Sequence, residues 1–407
     1  MKITEKINVD FRGGNYTYSI PEDYRYGITI DSSLTEWLST DTTNGVVTID
    51  VDENSDTETR VGYITIKSTS ADGEEKFNCI LEIRQYCEFI PVCSDTFYNS
   101  DLGNFKYTIR TDEDGVIYNG NATSMPNSGI EVCINKLCYP YLSSKFPIMA
   151  FEVDGMNVYD MDEYCKKFYL TNNNVDIWEY KFIDAWKRDN ITTDTYGDII
   201  TSTPIKNVID TRQYFIASAL QVYGGIFRVS IDGNDVVYRY GDSGEYHSYL
   251  CAGRNGRMVD GASIILNNKI IYDVQDTCYD WCIYYKNLYG GWDSLLVNGN
   301  TVESTNYSPE MYTTSYNNLL ADAEHHKYLN VANKTYKMYF SLNDEESKKV
   351  EHLFGSCEMY LHNLVDDTVV PVYCTDSKVE KKTYKNQGNH KYTYEINLKE
   401  GRDNIIK

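Results

Sequence analysis

Long apolar runs are absent from this chain, and positive charge is scarce. No stretch of the 407 residues approaches the roughly 20 apolar residues of a membrane-spanning helix, so we expect no membrane span. Lys and Arg number 38 against 60 Asp and Glu, which gives a net charge of −22. Proteins that bind phosphates need a basic surface, and the basic clusters here are short, as in residues 378–385. The sequence therefore predicts no specific nucleic-acid binding, and we interpret the acidic surface as one that keeps a large assembly in solution.

The first residues do not have the pattern of a secretory leader, so we expect none. Residues 1–14 carry charges and alternate like a strand, where a leader would have an apolar core segment. The 11 cysteines are an odd number, which argues against a complete disulfide framework. Together these features predict a reducing compartment.

Catalytic signatures are not evident either. The glycine pairs at 224–225 and 290–291, and the glycines of 253–256, lack the Lys-Ser/Thr of a phosphate loop. No local pattern supplies the His and carboxylate that a cysteine nucleophile needs. Acidic groups could hydrolyse glycosides or bind calcium, but solvated loop carboxylates are the simpler interpretation at this charge density. These groups are Asp50, Asp52 and Glu53, and Asp160, Asp162 and Glu163. We predict that the protein is not an enzyme and carries no cofactor.

Cys278 and Cys282, with the pair His325 and His326 as a complement, have the residue types of a zinc site. Even spacing along a strand places both thiols on one face, which favours two buried structural cysteines. His352 and Cys357 flank a helix end and receive the same interpretation. No metal is predicted.

Tyrosine is the abundant residue, with 38 copies. With Val, Ile and Thr it favours pleated, half-buried surfaces, so we predict a mainly β protein. Tyrosine also suits interfaces, because it combines a large apolar face with one polar group. The length predicts two or three domains.

Residues 1–88 alternate between apolar and polar positions and are interrupted by turn-forming pairs. These pairs are Gly13-Gly14, Asn44-Gly45 and Asp72-Gly73. The pattern predicts six or seven short strands in a small sandwich.

The same segment resembles the BACON domain, an immunoglobulin-like module of Bacteroidetes proteins and their phages. The residues that carry the resemblance are Gly13-Gly14, Glu36-Trp37-Leu38, Gly45 to Val51, Asn54 with Arg60, and Ile83-Arg84-Gln85. Because such domains are often supposed to bind carbohydrate, the resemblance implies glycan contacts at Tyr16, Tyr24 and Trp37. Trp37 has a second interpretation as a plug of the core.

A linker at 87–93 separates this domain from a β-rich region, residues 95–330. We predict a hairpin from Phe105–Ile109 and Gly115–Tyr118, and a turn without a regular helix at 135–146 because of Pro140. Residues 175–186 fit a strand or one face of a helix. Residues 150–205 are an inserted arm or part of the same region.

The block at residues 282–299 centres on Tyr289, Gly290, Gly291 and Trp292, where small residues let aromatic rings approach a tight turn. We assign these four residues to packing or assembly. Residues 331–407 then predict a strand, a helix and further strands. Asn343 and Glu346 form a capping box for that helix, Val350, Leu353 and Phe354 its apolar stripe, and Gly355 its end.

Three blocks of the second half resemble tail structural proteins of Bacteroides-infecting phages, including crAss-like phages. The blocks are NLYGGWDSLLVNG, LNDEESKKVEHLFGSCEMYLHNLVDDTVVPVYCTDS and KKTYKNQGNHKYTYEINLKEGRD, together with the upstream GVIYNGNATSMPNSGIEVCINKLCYPYL. The resemblance implies a tail hub or distal-tail protein: a β-barrel, completed by 331–407 with its short helix packed on it. It further implies assembly into a ring, contacts with other hub, ring, portal-proximal or fibre proteins, and a place in the virion tail after synthesis in the host cytoplasm. The alternative is a host-surface adhesin that binds glycan through residues 1–88.

Overall fold

The computed structural model describes most of the chain. It covers residues 2–9, 11–32, 36–54, 60–69, 75–100, 104–123, 130–143, 155–161, 163–186, 198–202, 206–222, 226–240, 246–254, 256–313, 325–376, 378–383, 391–401 and 404–406. These residues form many strands and two short α-helices, which confirms the prediction of a mainly β protein. Within these ranges, no helix is both long enough and apolar enough to cross a membrane.

The chain divides into two compact units, and it passes between them more than once. The first unit combines residues 1–144 with 162–190, and the second combines 145–161 with 191–407. Neither unit is therefore one continuous segment.

The first unit begins with seven strands. They are β1 (Lys2–Val9), β2 (Gly14–Ser19), β3 (Ile28–Ser32), β4 (Leu38–Thr43), β5 (Val46–Val51), β6 (Arg60–Thr69) and β7 (Glu75–Gln85). They build a four-stranded sheet, β1-β7-β6-β3, and a three-stranded sheet, β2-β5-β4, and the two share one apolar core. β1 runs parallel to β7, whereas the other pairs are antiparallel.

Alternation along these strands sorts side chains between core and solvent. On β6, Ile64 and Ile66 are fully buried, while Val61 and Tyr63 face outward. The predicted Asn44-Gly45 turn is confirmed: both residues have positive φ, 55° and 78°, as a two-residue hairpin of this type requires. The turn predicted at 72–73 lies outside the described residues.

The chain continues through a second set of strands and one helix. They are β8 (Ile90–Pro91), β9 (Phe97–Ser100), β10 (Asn104–Thr111), β11 (Gly115–Thr123), β12 (Ile130–Cys133), α1 (Asn135–Cys138), β13 (Gly155–Asp160), β14 (Cys165–Asn172) and β15 (Val175–Ile183). All except β13 belong to the first unit, as the sheets β11-β10-β14-β15-β8 and β12-β9. The predicted hairpin of β10 and β11 is confirmed.

Two details of this region depart from the sequence interpretation. Residues 135–141 form one turn of α-helix and then a 3₁₀ turn, Tyr139–Tyr141, so the expectation of a plain turn was wrong. Pro140 lies within the 3₁₀ turn, where the missing N–H leaves no hydrogen bond unmade. The ambiguous stretch 175–186 resolves as the strand β15, which lies between β14 and β8.

The second unit contains β13 and all the later elements. These are β16 (Asp198–Ile199), β17 (Lys206–Asp210), β18 (Phe215–Val222), β19 (Ile226–Ile231), β20 (Asn234–Tyr240), β21 (Tyr246–Arg254), β22 (Ser263–Leu266), β23 (Ile270–Gln275), β24 (Trp281–Lys286), β25 (Trp292–Val297), β26 (Thr301–Thr313), β27 (His325–Leu342), α2 (Lys348–Phe354), β28 (Met359–Asn363), β29 (Thr368–Cys374), β30 (Lys382–Thr383), β31 (Tyr392–Glu400) and β32 (Asn404–Ile406).

Three sheets organise this unit. They are β13-β21-β18-β16, β17-β23-β22-β19-β20, and a nine-stranded sheet with the path β25-β24-β28-β29-β31-β27-β26, to which β30 and β32 add short pairings. One apolar core gathers side chains of the first two sheets, and another lies between the nine-stranded sheet and α2. Each sheet path has two ends, so no closed barrel forms within the described ranges.

The capping box at the entry to α2 forms as predicted. The backbone N–H of Glu346 donates to Asn343 Oδ1 at 2.8 Å, and the backbone N–H of Asn343 donates to Glu346 Oε2 at 3.0 Å. A turn at 344–347 follows, and the regular helix begins at Lys348. Val350 and Leu353 are buried in the core, and Phe354 packs against it, as the apolar stripe predicted.

Candidate functional site

A cavity of about 480 Å³ opens in the second unit beside α2. Its wall combines residues that are far apart in sequence, from β17, from the loop before β24, from β25 and from the start of α2. Asn207, Thr277, Ser294, Glu346 and Lys349 give it a polar lining. Because it combines a concave shape with a buried ionisable group, we treat it as the candidate site.

Lys349 is the unusual residue of this cavity. It lies in the first turn of α2, yet its side chain is only 2% exposed. Its Nζ donates to Asn207 Oδ1 at 3.2 Å and to the carbonyl oxygen of Ser294 at 3.4 Å. Both acceptors are uncharged. The environment of this amine is therefore polar without a direct carboxylate contact among the described residues.

Burial lowers the pKa of Lys349, because the charged ammonium loses its hydration. The negative charges of Asp293 and Glu346 oppose this change without reversing it. The amine is therefore more easily deprotonated than an exposed lysine, and a deprotonated amine is a nucleophile.

Asp293 is a buried carboxylate held by several donors. Its Oδ2 accepts from the backbone N–H of Ser202 at 2.7 Å, from Ser202 Oγ at 2.6 Å and from Asn287 Nδ2 at 2.9 Å. Thr201 Oγ1 donates to its Oδ1. Hydrogen bonds of this number offset the cost of keeping a charge inside the protein. The network ties the segment 198–202 to β25.

The four residues assigned to packing or assembly lie in a tight turn at the start of β25. Asn287 organises the turn, because its Oδ1 accepts from the backbone N–H groups of Tyr289 at 2.9 Å and Gly291 at 3.1 Å. Gly290 has φ 83°, a conformation that glycine adopts without strain. A Cβ at Gly291 would lie 2.2 Å from the carbonyl oxygen of Ile200, so only glycine fits there.

Trp292 is fully buried, and its backbone N–H donates to Ser218 Oγ at 3.0 Å. Tyr289 is half-buried, with its ring 4.6 Å from that of His352. The block therefore packs within its own unit, with Tyr289 as its most accessible member.

The three candidate glycan contacts pack on the core of the first unit. Tyr24 stacks on Phe77 with ring centroids 5.3 Å apart, and Tyr16 is partly buried against the same core. The guanidinium of Arg60 lies 4.5 Å above the ring of Trp37, which is itself half-buried. The second interpretation of Trp37, a plug of the core, agrees with this packing.

The cysteine and histidine candidates separate in space and burial. Cys282 is buried, but Cys278 is exposed, so the expectation of two buried thiols was wrong for Cys278. The reason is that β24 begins at Trp281, and Cys278 lies in the loop before the strand. Near α2, His352 is buried as expected, but Cys357 is exposed, so the expectation of a buried thiol was also wrong for Cys357.

Metal ligands do not cluster in the part of the chain that the structure describes, where no group of three or more His, Cys, Asp or Glu could hold an ion. The side chains of His325 and His326, and all of Asp162, lie outside that part. Asp50, Asp52 and Asp160 are described, and no such group includes them.

The sequence interpretation missed the polar centre of the cavity. Asn207, Asp293 and Lys349 come from three distant segments, and none carries a local motif. One sequence feature could have indicated the burial of Lys349. It follows the capping box and directly precedes Val350 of the apolar stripe, a position at the start of a helix where a lysine side chain can point towards the core.

Comparison with known proteins gives little. No family model matches the chain, and no curated protein matches it. Among solved structures, it is similar to two forms of an endo-fucoidan hydrolase from glycoside hydrolase family 107, both at 13% identity, with TM-scores of 0.16 and 0.17. These alignments cover 65% and 66% of this chain and 42% and 43% of the hydrolase chains, so less than half of each hydrolase is matched.

A tandem fragment from titin is similar at 7% identity and a TM-score of 0.14, over 67% of this chain and 95% of the fragment. Similarities at this level carry no argument about activity or partners.

Proposed function

We propose that the chain is a structural subunit of a bacteriophage tail. In this proposal it forms an oligomeric hub ring around the tail channel and provides attachment for other tail proteins or fibres. The first seven strands serve as a BACON-like immunoglobulin domain, and the remaining sheets serve as the hub region, which the described residues build from open sheets and not from a closed barrel. The sequence blocks that resemble phage tail proteins suggest this role, and one feature of the structure supports it.

The supporting feature is β26, a long strand at the end of the nine-stranded sheet. Its 13 residues pair with β27, and no second neighbour pairs with it among the described residues. At about 3.4 Å per residue it presents an edge of about 44 Å. An unpaired edge of that length is a template for another strand, which a monomer normally shortens or covers.

Side chains on both faces of β26 are exposed in the part of the strand for which the structure describes them. Residues 302–304 and 306–308 are all exposed, on both sides of the strand, and Val302 and Tyr307 are 52% and 58% exposed. Such a strand suits burial against a partner, and tyrosine is enriched where partners meet.

Mass photometry of the purified full-length protein tests the proposal. We expect a multimer whose population rises with concentration. Tyr307→Lys places a charge on the β26 edge and should reduce the multimer, whereas Tyr238→Lys, at a similarly exposed tyrosine on β20, should not. A strictly monomeric protein that also fails to bind other tail proteins would contradict the proposal. If Tyr307→Lys leaves the multimer unchanged, β26 is not part of the interface between subunits.

The adhesin alternative has a narrower basis. Tyr16, Tyr24 and Trp37 are engaged in packing, and the adhesin alternative is better supported at Tyr63, which is 48% exposed on the outer face of β6 beside Val61. Screening the full-length protein on a glycan array is the test. Binding that Tyr63→Ala abolishes and Tyr118→Ala preserves would favour the adhesin.

A further inference from the structure

The contact between Lys349 and Asn207 joins an amine and a carboxamide inside the second unit. Lys349 Nζ lies 3.2 Å from Asn207 Oδ1, although the residues are 142 positions apart. Lys349 is 2% exposed and Asn207 is 9% exposed, so both groups are held away from bulk water. The hydrogen bond holds the amine beside the carboxamide, whose Cγ is bonded directly to Oδ1, and groups held side by side in this way gain a large effective concentration.

We propose that Lys349 and Asn207 form an intramolecular isopeptide bond, with Glu346 as the proton-transfer residue. This is a modification site, and it stands independently of the tail function proposed above.

The nucleophile is the amine of Lys349. Burial lowers its pKa, which raises the fraction that carries a free electron pair near neutral pH. The hydrogen-bonding partners of Nζ in the structure are an amide oxygen and a backbone carbonyl oxygen, and neither holds the ammonium form as a carboxylate would.

Glu346 is the carboxyl group to which we assign the proton transfer. It precedes Lys349 by three residues and lines the same cavity as Lys349 and Asn207. Its Oε2 accepts from the backbone N–H of Asn343 in the capping box, which fixes the side chain. Its charge also interacts with the Lys349 amine. Asp293, the other nearby carboxylate, accepts hydrogen bonds from Ser202, Asn287 and Thr201.

The reaction balances without an added reagent. The electron pair of Nζ attacks Asn207 Cγ, and a C–N bond forms. The carboxyl group of Glu346 takes a proton from Nζ and delivers one to Nδ2, which leaves as ammonia when its bond to Cγ breaks. No oxidant or reductant takes part. The polar cavity of about 480 Å³ next to both residues gives the ammonia a path to solvent.

Mass spectrometry of the purified full-length protein tests the bond directly. We expect an intact mass lower than the sequence mass by one ammonia, and a branched tryptic peptide that joins the fragments containing residues 207 and 349. Lys349→Met and Asn207→Ala should each restore the mass expected for the substituted sequence. An intact mass equal to the sequence mass, with residues 207 and 349 in separate linear peptides, overturns the proposal.

Glu346→Gln is the matched control for mechanism. Glutamine preserves the capping box, because its side-chain oxygen still accepts from the Asn343 N–H, but it cannot transfer a proton. We expect a folded variant with the full sequence mass. If Glu346→Gln carries the bond as completely as the wild type, Glu346 is not the proton-transfer residue and that part of the proposal is refuted. Peptide mapping of the wild type decides on the bond itself even if a variant fails to fold.

Discussion

Replacing Gly291 with alanine should destabilise the second unit, because the added methyl group meets the backbone of a neighbouring segment. The new Cβ would lie 2.2 Å from the carbonyl oxygen of Ile200 and 2.7 Å from its Cγ2. Backbone cannot retreat as a flexible side chain does, so the segment at Ile200 must shift. No positive φ is involved at Gly291, and the effect is therefore steric alone.

The magnitude follows from what the shift breaks. Overpacking costs about 1–3 kcal/mol. The Ile200 N–H donates to the carbonyl oxygen of Ser218 at 2.8 Å, and Asn287 Nδ2 donates to the Ile200 oxygen at 3.2 Å. Weakening these two bonds adds about 1 kcal/mol each. We expect Gly291→Ala to lower the free energy of unfolding by about 3–5 kcal/mol.

Gly256→Ala provides the matched control. It belongs to the same unit, its φ is not positive, and a Cβ there would meet no atom within 4 Å. That change should leave stability unchanged or raise it by about 0.4–1 kcal/mol, through the smaller entropy of the unfolded chain. Urea denaturation of both variants measures the difference in the free energy of unfolding. The comparison requires that the two variants have the same m-value, because a shift of the midpoint then reports a change in stability. Equal midpoints for Gly291→Ala and Gly256→Ala would refute the packing described for the turn before β25.

Four further outcomes are expected. Asn343→Ala should cost about 1 kcal/mol in urea denaturation by removing the cap, whereas Asn343→Ser should retain most of it. Burial alone would raise the pKa of Asp210, but hydrogen bonds from Arg212 and Thr277 outweigh it and hold the pKa below its usual value. The stability that ionised Asp210 contributes is thus present above about pH 4 and is lost on further acidification. When the free energy of unfolding is measured against pH, this loss should be smaller in Asp210→Asn. Burial lowers the pKa of His362, so the unfolded chain binds a proton at this residue more readily than the folded protein does. Stability should therefore fall as the pH drops below about 6.5, and in His362→Gln the free energy of unfolding should depend less on pH in that range. If the isopeptide bond forms, Glu346→Gln should unfold with about 5 kcal/mol less stability than the wild type by calorimetry, the chain-entropy value for a cross-link between residues 142 positions apart.

Local features were predictable from the sequence because neighbouring residues determine them. The Asn44-Gly45 hairpin and the capping box of Asn343 and Glu346 each involve a few consecutive residues, and both formed as expected. Alternation along strands also identified much of the core. These signals depend on backbone preferences and burial, which act at short range.

Long-range pairing was not predictable in the same way. The parallel pairing of β1 with β7 and the strand order of the nine-stranded sheet depend on contacts between distant segments. The candidate site has the same origin, since Asn207 meets Lys349 through folding alone. A lysine near a helix start is normally exposed, and only the surrounding sheets bury this one.

The passage of the chain between its two units has a consequence for synthesis. β14 and β15, which pair with β10 and β8 in the first unit, follow β13, whose partner β21 lies far downstream in the second unit. Residues 162–190 must leave the ribosome before the sheets of the first unit are complete. β13 has no partner strand until residues 246–254 have been synthesised. Nascent chains stalled between these points should keep β13 open to protease, and gene fragments cut at residue 144 should yield a first unit without two of its strands.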